Sequence, residues 1–68
     1  MPPIGYMDEI AGVVKARRKA LGIDQETAAQ LAGVSRKLVS DIERGKRTVR
    51  LDVLVSVLDV LGLKLQVL

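Results

Sequence analysis

Four glycines frame this chain. Gly22, Gly33, Gly45 and Gly62 each follow a stretch with helical spacing. Glycine takes up the left-handed conformation that closes a helix without a Cβ clash, so each is a stop signal. The stretches between them predict four helices. The first runs from about Asp8 to Leu21, with Ile10, Val13, Val14 and Leu21 at apolar helical spacing. Its first turn carries Asp8 and Glu9 and its end carries Arg17, Arg18 and Lys19, which suits the helix dipole. The second runs from about Gln25 to Ala32 with Asp24 as N-cap, and the third from about Arg36 to Arg44 with Ser35 as N-cap. The fourth runs from about Leu51 to Leu61.

A chain of 68 residues makes one small domain at most. Leu, Val and Ile supply 24 of those residues, enough for a compact aliphatic core although Tyr6 is the only aromatic. The chain is too short to wall off a deep substrate pocket. Without Cys or His it can build no disulfide, zinc cluster, Cys/His nucleophile pair or His general base. No catalytic residue, metal ligand, cofactor or small-molecule site is expected. Residues 36–50 hold Arg36, Lys37, Arg44, Lys46, Arg47 and Arg50 against Asp41 and Glu43, a local +4 within an overall +3. Such a basic middle beside a near-neutral apolar end suits one surface for a polyanion and another for packing. The start, Met1-Pro2-Pro3-Ile4-Gly5, has no basic targeting region, and the apolar run Leu51–Leu63 is broken by Asp52, Ser56 and Asp59. The expectation is an intracellular, cytoplasmic protein with residues 1–7 as a loose arm.

After Gly62 the pattern alternates. Leu63-Lys64-Leu65-Gln66-Val67-Leu68 has the period-two signature of a strand, and no second strand candidate exists. A lone strand leaves its backbone groups unpaired, so the simplest partner is the same strand of a second copy; a frayed tail is the alternative. The fourth helix is apolar around most of its circumference. Its excess face, placed on Val53, Val57 and Val60, predicts self-association, unless these valines complete the core. Together with Leu63, Leu65 and Val67 they form the expected dimer interface.

Residues 25–44 read as two helices joined by a turn of about three residues, a helix-turn-helix. Ala29 is small where the helices cross, and Gly33 permits the turn. Val39 and Ile42 pin the second of these helices onto the core, with Leu31 opposite. Its other face carries Arg36, Lys37, Ser40 and Asp41, a composition suited to a major groove.

At these residues the chain resembles the Xre, or phage repressor and Cro, helix-turn-helix family. The matching runs are Arg17–Gln25, Leu31–Ser35 and Ile42–Arg47. Residues 51–65 are similar to the end of HipB-like antitoxin regulators, which close with a strand paired between subunits. The resemblance implies an all-α, four-to-five-helix lambda-repressor-like domain over 8–62, with 63–68 as the dimerisation strand. By resemblance, Arg36, Lys37, Ser40 and Asp41 would face base edges, with Arg36 suited to guanine. Asp41 could accept from cytosine N4, or pair instead with Lys37 four residues earlier. Gln25, Ser35, Arg44, Lys46 and Arg47 would hold the DNA backbone. Arg18 and Glu43 match a structural ion pair between the first helix and the end of the third; the plainer alternative is two ordinary surface charges.

Two positions depart from the family pattern. Arg50 stands where a Ser or Thr cap is usual, and Leu38 replaces a small polar residue. Leu38 could meet a thymine methyl, pack under the turn or touch a partner. The implied function is a homodimeric repressor on an inverted-repeat operator in double-stranded DNA, as antitoxin and autorepressor beside a HipA-type serine/threonine kinase toxin. The alternatives are an antitoxin acting mainly by neutralising that kinase, and a phage-type regulator with no toxin partner. No membrane partner and no enzyme activity are expected.

Overall fold

The first helix, α1, spans Tyr6–Ala20 in a computed structural model that describes residues 6–65. Tyr6 and Met7, expected in the arm, are its first turn; the rest of that arm, residues 1–5, lies outside the described residues. α2 is Gln25–Ala32, α3 is Arg36–Glu43 and α4 is Leu51–Val60. Both sequence-assigned caps are made: Asp24 Oδ1 accepts from the Thr27 N–H at 2.8 Å and Ser35 Oγ from the Leu38 N–H at 3.2 Å. Arg50 gives α4 no side-chain cap. Its guanidinium instead donates to Asp52 at 2.8 Å, in the first turn.

All four helices end on one backbone pattern. The glycine N–H bonds three residues back, and the next N–H bonds five residues back. The pairs are Gly22–Lys19 and Ile23–Arg18, Gly33–Gln30 and Val34–Ala29, Gly45–Ile42 and Lys46–Asp41, and Gly62–Asp59 and Leu63–Leu58. This double bond requires the positive φ of 70–78° that the four glycines adopt. An apolar residue after such a glycine normally packs back onto the helix it has left. Ile23, Val34 and Leu63 do so, against the core. At α3 the corresponding residue is Lys46, which is charged.

α3 packs against α1 and α2, and α4 closes the other side of α2. The centre is aliphatic: Val14, Ala29, Val39, Ile42, Leu54, Val57, Leu58 and Leu61 are all buried. Ala29 is small, as the helix crossing demands. The buried face of α1 is Ala11, Val14 and Arg18, with Ile10 packed beside it. Val13 and Leu21, expected inside, are 52% and 45% exposed, and Leu31, expected opposite Val39 and Ile42, is 64% exposed. α2 meets the core through Ala28, Ala29 and Ala32, which turns Leu31 outward.

α4 corrects the expected dimer face in the same way. Asp52, Ser56 and Asp59 form its polar stripe, and the face diametrically opposite is Leu54, Val57, Leu58 and Leu61. Val57 is wholly buried within its own protomer and is not available to a partner. Val53 and Val60 are half-buried on one flank, while Leu51 and Val55 on the other are exposed. The residues Leu63–Leu65 form no strand; Leu63 packs on the core and Leu65 is exposed. The remainder of the expected strand, Gln66, Val67 and Leu68, lies outside the described residues.

This placement separates Val57 from Val55 experimentally. Val57→Ala is expected to cost about 2 kcal/mol of unfolding free energy, because it leaves a cavity in a packed core. Val55→Ala is expected to cost less than about 1 kcal/mol, because its side chain is already wet and alanine favours the helix. Urea unfolding followed by circular dichroism checks both.

Candidate nucleic-acid interface

The outer face of α3 is set by its inner face. Val39 and Ile42 are fully buried, and this rolls the helix so that Arg36 and Lys37 are exposed at its N-terminal end. Ser35 precedes them, exposed, and Ser40 is half-buried one turn on. Arg44, Lys46 and Arg47 follow the helix, all exposed. The basic residues assigned to DNA therefore lie outside the core on α3 and the turn after it.

Arg18 and Glu43 hold this helix to the scaffold. Arg18 Nε donates to Glu43 Oε2 at 2.7 Å and Arg18 Nη2 to Glu43 Oε1 at 2.9 Å, a two-pronged pair. Both side chains are shielded, 11% and 3% exposed, so the ordinary-surface alternative does not apply. Arg18 Nη1 also donates to the Ile23 carbonyl at 3.0 Å. Burial by itself would push the Glu43 carboxyl up. Hydrogen bonds from Arg18 and Gln25, with the Arg18 charge, outweigh that and hold it below its ordinary value. The Glu43 hydrogen bond raises Arg18 in turn.

Gln25 is partly diverted from the role assigned to it. Its Nε2 donates to Glu43 Oε1 at 3.2 Å. What it still offers a phosphate is its second amide hydrogen and the backbone N–H at the start of α2. The Gln25–Glu43 bond escaped sequence reasoning, as did the Arg17 Nε bond to the Leu61 carbonyl at 2.9 Å that ties α1 to the end of α4.

Asp41 is the larger correction. Expected to face a base edge, it is 3% exposed. Lys37 Nζ donates to its Oδ2 at 3.1 Å, Arg44 Nη2 donates to its Oδ1, and Lys46 Nζ stands 3.6 Å from Oδ2. The hydrogen bonds from Lys37 and then Arg44 hold its carboxyl below the usual range against the opposing effect of burial. The pairing with Lys37, left open by the sequence, is made. A carboxylate so covered has no face for a cytosine. Leu38, also left open, is half-buried.

A model of the helix-turn-helix family of Cro/C1 type, the Xre family, matches residues 14–68. The chain belongs to the Cro/C1-type helix-turn-helix family. The match takes in α2, α3, the basic turn and α4. It supports a DNA-binding regulator, since this is a DNA-binding regulatory family and not a family of enzymes. A search of curated proteins finds no match. Among the described residues no helix is long and apolar enough to cross a membrane, and no group of Asp and Glu residues could hold a metal ion.

The ion pair fixes a pH dependence. A carboxyl depressed in the folded state stabilises that state fully above its unfolded value, and the contribution is lost as pH falls through the folded one. Glu43→Gln strands a buried guanidinium and is expected to cost on the order of 3 kcal/mol near neutral pH. The gap from the wild-type protein should close as the medium is acidified below the ordinary carboxylate range. Urea unfolding across a pH series reads both effects.

Proposed function

We propose that the protein is a sequence-specific transcriptional repressor that binds an inverted-repeat DNA operator as a homodimer. The observation that carries this reading is the exposure of Arg36 and Lys37 at the start of a helix whose opposite face, Val39 and Ile42, is locked in the core. Such a helix can enter a major groove without disturbing the fold. Arg36 presents a planar fork that meets guanine O6 and N7 together, and Ser40 lies one turn behind it. Ser35, the start of α2 at Gln25, and the cations Arg44, Lys46 and Arg47 hold phosphates on either side.

The exposed apolar side chains of Leu51, Val55 and Leu65 support pairing with a second copy. An open groove of about 190 Å³ between α1, α4 and the segment after it, lined by Ile10, Val13, Leu58 and Leu63, offers further apolar surface. Two-fold symmetry places the half-sites roughly 34–36 Å apart or at a multiple of that spacing. The likeness of residues 51–65 to HipB ends supports an added role as antitoxin and autorepressor toward a HipA-type kinase. Co-purification of such a kinase with the tagged protein tests that role, and its absence favours a phage-type regulator.

Footprinting on the DNA upstream of the protein's own gene tests the main reading: protection of a symmetric site supports it, and uniform coverage refutes it. Arg36→Ala should weaken binding to that site by about 1–3 kcal/mol and relax the base preference at one position of each half-site. Lys46→Ala should weaken binding to all sequences alike and flatten the salt dependence. Gel-shift titrations over a salt series, on the site and on a scrambled duplex, separate the two.

A further inference from the structure

Asp41 is a buried carboxylate that the DNA-binding reading does not use. It occupies a singular place in the fold. Each helix ends with the residue after its glycine folded back on the residue five positions earlier, and in α1, α2 and α4 that later residue is apolar. In α3 the pair is Asp41 and Lys46. The Lys46 N–H bonds to the Asp41 carbonyl at 3.0 Å, and its ammonium lies 3.6 Å from the Asp41 carboxylate. The apolar clasp has been exchanged for an ionic one.

That clasp gathers two more cations. Lys37 reaches Asp41 from one turn before and Arg44 from one turn after. The carboxylate is shielded at 5% exposure, while Lys37, Arg44 and Lys46 keep 76%, 69% and 48% of their side-chain surfaces open. Three like charges this close would otherwise spread apart, and long side chains lose rotamer freedom when a ligand orders them. Around a shared anion they are already gathered, with a residual charge of +2 facing outward.

We propose that Asp41 is a positioning residue for DNA recognition: it acts as an internal stand-in for a phosphate, holding Lys37, Arg44 and Lys46 in their DNA-facing arrangement before DNA arrives. The proposal rests on the DNA-binding reading above. It joins a cation assigned to base edges, Lys37, with two assigned to the backbone, Arg44 and Lys46, through one carboxylate. Asp41 then lowers affinity for arbitrary DNA, by cancelling a positive charge, while favouring the operator, by ordering the side chains that must meet it.

The test is Asp41→Asn, nearly equal in volume and uncharged. Two duplexes are used: one selected by the wild-type protein from a random-sequence pool, and a scrambled duplex of equal length. Binding to the scrambled duplex should tighten about two- to five-fold at low salt, because a negative charge has gone. Preference for the selected duplex should fall about ten-fold, because the freed side chains must be ordered on binding. A role confined to folding would weaken both together. Equal weakening on both duplexes by folded protein overturns the proposal, and so does an unchanged ratio. Should the variant not fold, the wild-type protein still decides the matter. Side-chain ammonium NMR should show Lys37 and Lys46 more restricted than Lys19, which has no ion pair among the described residues. Equal mobility in all three overturns the proposal. A wild-type protein with no preference for any duplex overturns the underlying DNA reading instead; the NMR result in free protein tells that failure apart.

Discussion

A guanidinium from α1 meeting a carboxylate from α3 holds α3 at one angle. Arg18 and Glu43 do more than pair. Arg18 also donates to the Ile23 carbonyl, and Glu43 also accepts from Gln25 at the start of α2. One shielded ion pair thus joins α1, the turn after it, α2 and α3. Well-packed apolar residues of equal volume would serve stability as well. They would not serve direction as well, because apolar burial is non-directional and a two-pronged guanidinium–carboxylate pair fixes both distance and plane. The angle matters: a helix rolled by one position would carry Arg36 toward the core and leave Val39 outside.

What was legible in the sequence was what is local. The caps Asp24 and Ser35, the span of α2 and the four glycine stops each depend on a few neighbouring residues, and all are as read. What was misread depends on which side of an element meets its neighbours. Val13 and Leu21 fit the helical spacing of α1, yet its inner face is built on Ala11, Val14 and Arg18. A small residue and a charged one are hidden from a count of large apolar side chains. On α4 the polar stripe pointed the right way, since the core lies opposite Asp52, Ser56 and Asp59. The expected face of Val53, Val57 and Val60 lies to one side of that direction, and so straddles the core and one flank. The basic face of α3 was legible because its outer residues are charged and its inner ones aliphatic.

The two acids of α3 show a subtler limit. Asp41 and Glu43 stand two residues apart, on opposite sides of the helix. Composition treats them alike, as a discount on the basic cluster. Their neighbours make them different instruments: Glu43 faces α1 and α2 and orients the helix, while Asp41 faces the cations that follow and precede it. A sequence signal for the second existed. Reading each glycine stop with the residue after it and the residue four before it gives Arg18 with Ile23, Ala29 with Val34, and Leu58 with Leu63. The remaining combination, Asp41 with Lys46, is the one of opposite charge.

This arrangement divides the cations of residues 36–50 into unequal kinds. Lys37, Arg44 and Lys46 share Asp41, and Arg50 pairs with Asp52. Arg36 and Arg47 have no ion-pair partner among the described residues. A gathered cation meets its partner with little further loss of freedom, but only where that partner lies at the position in which Asp41 holds it. A guanidinium at large must be ordered by what it touches, and only a matched pair of acceptors repays that ordering. On the proposed DNA-binding reading, the two kinds would favour the operator in different ways: Arg36 through the base edge that orders it, and Lys37, Arg44 and Lys46 through an arrangement that Asp41 has already made.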